Sequence, residues 1–302
     1  MQQTELAPKT TPNGNGSNRT MNSIKRIFQA REMGVIVALI ILLVAMRFLS
    51  PYFWKSQNIF NVMRGMSTIG IMAIGQTMII ITAGIDLSVG SILAASAMIT
   101  ARLMYTGVSP WLAVLLGLGF GTGLGLINGL IITKIKVNPF ITTLGMLSVA
   151  RGLTYLSASG LEGTVASNVP MPNEAVNFLG GGYIGPVPFP VIEMFVLVIV
   201  FSLFLKYTVL GRQIYAVGSN EQAARLSGVP IDLVKIFAYT VPACLCALSG
   251  IMTAGLLSTS STNAGTGIEL AVIAAVVIGG ASLAGGEGTI FGAVIGAAIM
   301  AV

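Results

Sequence analysis

The chain has 302 residues, 54% of them apolar and only 9% charged, with 16 Lys and Arg, 10 Asp and Glu, and no His. Soluble domains carry about 25% charged residues, so these proportions exclude an ordinary soluble globule, a disordered chain and, with two Cys, a disulfide scaffold. The net charge of +6 is spread singly between apolar runs, which argues for membrane topology and against a nucleic-acid partner.

The first 32 residues are polar, rich in Asn, Thr, Gly and Ser over Thr11–Thr20, and are expected to form a disordered tail. Lys25, Arg26 and Arg31 then precede an apolar run too long for a cleaved signal and without an Ala-x-Ala site, which reads as an uncleaved anchor. About 20 apolar residues cross the hydrocarbon layer as a helix. On that measure spans fall near Met33–Ser50, Met66–Ile85, Leu87–Met104, Trp111–Thr133, Pro139–Ala158, Phe189–Leu205, Ile236–Leu257, Leu270–Ala284 and from Thr289 onward. Unbroken runs suit helices rather than alternating barrel strands. The expected fold is an all-α polytopic integral membrane protein of about nine spans, with one transmembrane domain over 33–302. The last run stops at Ala301-Val302 without a polar flank, so the ninth span reads as truncated, with a tenth helix expected beyond it.

Orientation follows from the bases. With the N-terminus in the cytoplasm, Lys9, Arg19, Lys25, Arg26, Arg31, Lys134, Lys136, Lys206, Arg212, Arg225 and Lys235 lie inside, and only Arg47, Lys55 and Arg64 lie outside. That asymmetry obeys the positive-inside rule. Ser159–Pro188 holds no Lys or Arg, as a loop on the far side should.

Within this frame, catalytic chemistry finds little support. No Lys follows a Gly, so no P-loop exists, and no Cys/His cluster suggests a metal or cofactor. Without His or a close acid pair, general acid–base work has no candidate. Cys244 and Cys246 read as ordinary thiols. Glycine is abundant: Gly117, Gly121, Gly125 and Gly129 recur at four-residue spacing, as do Gly288, Gly292 and Gly296. Such spacing lets helix backbones approach closely.

Polar breaks stand out against this background. Asp86, flanked by Gly84 and Gly90 between two apolar runs, is expensive in lipid. It either caps the following helix at a tight turn or sits at a helix break beside a transport route with Ser88. Asn138-Pro139 fits a cap and first turn and is a further candidate for the route. Glu193, Glu269 and Glu287 fall near span ends, where a carboxylate reaches water. Arg151 lies deeper and either snorkels or pairs with an acid. On the basic side, residues 206–235 contain Ser219-Asn220-Glu221-Gln222, a capping box with Ser219 as N-cap, and Gly228 at a left-handed C′ position before Pro230. A helix this short needs a docking surface, supplied by its own bundle or by a partner.

Several long motifs in order resemble the permease subunit of bacterial ABC importers of the ribose/xylose/galactose class: Ser56-Gln57-Asn58-Ile59 with Asn61, GIDLSVGS at Gly84–Ser91, NPFITTLGM at Asn138–Met146, GRQIYAVGSNEQAARLSG at Gly211–Gly228, and the glycine-rich stretch from Glu269. The resemblance implies that Gly211, Arg212, Tyr215, Gly218, Asn220, Ala223, Ala224 and Gly228 form the cytoplasmic coupling loop that docks on an ATPase. It also implies a second permease copy or paralogue, a periplasmic sugar-binding protein and a monosaccharide as cargo, with no enzymatic activity in this chain. Autoinducer-2 or another small polar solute is the alternative cargo. An ion-coupled secondary transporter or channel is the alternative of a different class, and it would need buried acids or His as relays.

Overall fold

In a computed structural model the described residues are 31–159, 167–171 and 173–302. The expectation of a disordered tail falls almost entirely outside them. The all-helical polytopic fold expected from the sequence is what the chain adopts, and the helices follow in chain order: α1 (Arg31–Leu49), α2 (Ser56–Ile81), α3 (Val89–Tyr105), α4 (Pro110–Leu130, prolonged by a π-turn at Ile131–Ile135), α5 (Pro139–Ala158), α6 (Glu174–Gly181), α7 (Phe189–Tyr207), α8 (Val209–Ser219), α9 (Glu221–Leu226), α10 (Ile231–Leu257), α11 (Ile268–Ile278) and α12 (Ile290–Ala301). Two small antiparallel ribbons join β1 (Asn168–Pro170) to β4 (Thr259–Ser261) and β2 (Tyr183–Ile184) to β3 (Val187–Pro188).

Helix ends follow local chemistry. Pro139 opens α5 behind Asn138, whose side chain accepts from the Phe140 N–H. Helix α2 extends ten residues upstream of the predicted start, because Arg64 need not leave the helix: its guanidinium lies over the Tyr183 ring. It stops at Ile81 because Ala83 turns to a φ of 60°. The segment 159–188, expected as a plain loop, also carries α6, capped by Asn173.

α10 runs through the centre, against α4, α3, α2 and α6. The predicted glycine stripe explains how it fits. A Cβ at Gly125 would overlap the Ala243 methyl and the Tyr239 carbonyl, and one at Gly129 would meet the backbone of Ile236. Gly119 and Gly123, one step around the helix, have nothing near them. α7 presents an apolar outer face of Phe195, Val196, Ile199, Val200 and Leu203, as a lipid-facing helix should.

Two of the predicted spans start inside the bundle. Predicted span Leu270–Ala284 forms an 11-residue helix, α11, about 16 Å long, which is half of a bilayer's hydrocarbon thickness. The glycine loop 279–289 ends it, with Gly280, Gly285, Gly286 and Gly288 at positive φ. The chain then returns as α12, and the backbones of the two half-helices meet at Gly279–Gly292 and Ala275–Gly296. α3 likewise starts inside the bundle. Its Ile92 shares a contact on Gly121 with Ala247, which lies about 24 Å along the roughly 40 Å of α10.

Adding a methyl at the α4–α10 contact should therefore cost about 1–3 kcal/mol of overpacking, whereas the same change outside it gains helix propensity. Gly125→Ala is expected to lower the unfolding temperature in detergent, and Gly123→Ala to leave it equal or raised.

Candidate functional site: a coupling segment joined to two chain breaks

The segment after α7 turns at Thr208, and in the first turn of α8 a Cβ at Gly211 would crowd the carbonyl oxygens of Phe204 and Leu205. Thr208 caps α8 by accepting from the Gly211 N–H at 3.0 Å. The N-cap of α9 is Asn220, which accepts from the Ala223 N–H at 2.9 Å. The predicted capping box placed this role one residue early, on Ser219. Ser219 instead completes α8, and the chain turns extended only at Asn220. The predicted stop is correct in detail. Gly228 has a φ of 79°, its N–H donates to Arg225 O, and the Val229 N–H donates to Ala224 O, which together make a Schellman motif.

The eight residues expected in a coupling loop divide into two sets. Gly211, Tyr215, Gly218 and Ala224 are turned into the bundle, while Arg212, Asn220, Ala223 and Gly228 are exposed. Beside the exposed set, Leu226 is 91% exposed at the tip of α9. The inward set reaches two places where the chain leaves the helical state. A Cβ at Gly218 would overlap the Ile81 carbonyl oxygen and crowd the Gly286 nitrogen, and those two groups are themselves hydrogen-bonded at 2.8 Å. The Tyr215 hydroxyl donates to Gly288 O at 2.7 Å. Gly285 packs on Ala83, and Gly286 on Ser219. The end of α8, the turn after α2 and the glycine loop thus form one backbone junction.

From that junction the chain climbs through Asp86, which is buried. Asp86 Oδ1 accepts from the Ser88 N–H at 2.7 Å and from the Ser88 hydroxyl. Asn128 on α4 donates to Ser88 Oγ at 3.1 Å, and Thr143 on α5 donates to Ile85 O at 3.4 Å. Asp86 thus braces Ser88, the residue that precedes α3, at a break inside the bundle, while its Oδ2 is buried with no hydrogen-bond partner among the described residues. Sequence reasoning missed Asn128; an Asn inside a glycine-rich apolar run was the available signal. Asn138 is not part of this group. It is exposed at the head of α5, beside Glu221, Arg225, Asp232 and Lys235 at the α9 end.

Charge holds α9 in place. Glu221 Oε2 accepts from Lys235 at 2.7 Å and Oε1 from Arg225 at 3.3 Å, while Lys134 and Asp232 pair at 2.6 Å. The Lys235 hydrogen bond holds the Glu221 carboxyl below its ordinary value of 4.5, against a smaller opposing effect of burial. What Glu221 contributes is therefore complete above about pH 4.5 and lost as the pH falls through the lowered value. Amide-exchange protection of residues 223–227 should stay level from about neutral to about pH 5 and decline below about 4.5, and Glu221→Gln should remove the decline.

The chain belongs to the family described as branched-chain amino acid transport system / permease component, whose model matches residues 58–302. The ribose import permease protein of Bacillus subtilis (strain 168) is 40% identical over 270 residues, 89% of this chain and 83% of that protein. The fructose import permease protein of Bifidobacterium longum (strain NCC 2705) is 31% identical over 307 residues, covering 98% and 84% of the two chains. The L-arabinose ABC transporter permease protein of Azospirillum brasilense is 32% identical over 267 residues, covering 88% and 77%. No solved structure matches. The class expected from the sequence, a multi-pass permease subunit of an ABC importer rather than an enzyme, is borne out.

Proposed function

We propose that this chain is the translocation subunit of an ATP-binding-cassette importer that carries a monosaccharide, ribose or a close relative, across a bacterial inner membrane. The import permeases similar to it carry ribose, fructose and arabinose in their names, which supports a sugar over autoinducer-2 or a branched-chain amino acid. α9 faces the cytoplasm and docks on a separate ATPase. Lys134, Lys136, Lys206, Arg212, Arg225 and Lys235 gather at the α9 end, and Arg47, Lys55 and Arg64 at the other, which supports that orientation with the N-terminus inside. The permease works as a pair, with a second copy or a paralogue, and takes sugar from a periplasmic binding protein.

The observation that carries this reading is the junction at Gly218. ATPase closure moves α8 and α9, and α8 touches both Ile81 and the 285–288 loop directly. Displacing α8 therefore shifts the lower ends of α2 and α12, and the Asp86–Ser88–Asn128 bonds pass the shift to α3 and α4. Each nucleotide state has to favour one arrangement by a few kcal/mol for such a switch to work. An ion-driven transporter has no use for a stopped helix with an exposed Leu at its tip.

Co-expressed with its ATPase, the chain should purify as a complex. Gly228→Val forces a β-branched residue into left-handed backbone at about 1–2 kcal/mol or more, with open space around it, and should abolish ATPase association while insertion persists. Gly218→Ala should keep the complex yet lower ATP-driven uptake of labelled ribose by about tenfold or more. Uptake that follows an ion gradient and ignores ATP would refute the assignment.

A further inference from the structure

Thr262–Gly267, between β4 and α11, leaves regular structure deep in the bundle. Gly265 packs on the first turn of α3, where a Cβ at either Gly265 or Gly90 would overlap the other's carbonyl oxygen. That turn lies near the middle of α10, so the stretch lies near mid-membrane and not at its edge. Non-helical backbone at such depth is tolerated only inside protein or along a water-filled route. Yet Asn263, Thr266 and Gly267 are exposed on this chain.

Polar side chains converge on the same face. The Arg151 guanidinium donates to Thr262 O at 2.9 Å and Ala264 O at 2.8 Å, fastening the stretch to α5. The Tyr155 hydroxyl donates to Asn263 Oδ1 at 3.2 Å. Glu269, in the first turn of α11, interacts electrostatically with Arg151 and stands beside Gly90. Charged groups within a span face a bundle interior or water, not lipid. Along α5 this face continues through exposed Gly145, Ser148 and Gly152.

We propose that Tyr155, Asn263, Thr266 and Glu269 form a contact site for a neutral polyhydroxylated solute on the wall of the translocation route, with Arg151 positioning the loop. The site rests on the functional reading above. Its groups include amide, hydroxyl and carboxylate partners that donate to and accept from hydroxyls, and a partly exposed aromatic ring for a sugar's apolar face. Arg151 and Glu269 offset each other in charge, which suits a solute without charge.

Two measurements on the full complex test this. In a Cys244→Ser, Cys246→Ser background, Asn263→Cys and Thr266→Cys should react with a hydrophilic, membrane-impermeant methanethiosulfonate about tenfold faster or more than Ile199→Cys on the apolar face of α7, because thiolate forms only where water reaches. Equal rates at all three positions would overturn the aqueous wall. In the second, Asn263→Ala and Glu269→Gln should raise the KM for labelled D-ribose, D-fructose or L-arabinose by about tenfold, with ATPase association unchanged. An unchanged KM would overturn the sugar contact. Wild-type protein that moves none of the three sugars with ATP refutes the functional reading instead, while the labelling rates still decide the wall.

Discussion

The hydrogen bond from Gly286 N–H to Ile81 O is the contact on which the rest of this arrangement depends. It joins the turn after α2 to the loop between the half-helices α11 and α12. Each break also closes on itself, through Gly84 N–H to Ile79 O in one and Ser282 N–H to Glu287 O in the other. Together, and with the end of α8 closing over them, they satisfy one another. Glycine makes the arrangement possible: at Gly218, Gly285 and Gly286 a side chain would occupy space already filled by backbone.

This junction gives the fold its mechanical character. Backbones in contact through hydrogen bonds and missing side chains either meet or part. In the proposed switch a movement of α8 passes to the two breaks, and from Asp86 onward through the bonds to Ser88 and Asn128. Asp86 braces the entry to a helix that begins inside the bundle through one oxygen only, and its Oδ2 is buried with no hydrogen-bond partner among the described residues.

The two faces of the motif around Gly211–Gly228 show why spacing alone is ambiguous. Gly218 and Gly228 look alike in the sequence. One is glycine because a neighbouring backbone leaves no room, and the other because its φ is 79° in open space. The same holds for the stripe in α4, where Gly125 is pressed on α10 and Gly123 touches nothing.

The sequence by itself determined the helical membrane fold, most helix ends, the charge asymmetry and the stopped helix α9, because each follows from hydrophobic run length, capping chemistry or counts of bases within a local window. Pro139–Ala158 appears with the bounds expected of it, and Gly228 in the conformation expected. Only the tertiary structure decided that α11 stops after 11 residues, that Asn220 rather than Ser219 caps α9, that Asn138 stands apart from Asp86, and that Arg151 grips a loop more than a hundred residues away. These depend on which backbones approach within bonding distance, and apolarity carries no record of that: a run of Leu, Val and Ala reads the same whether its next residues pass through the bilayer or turn back within it.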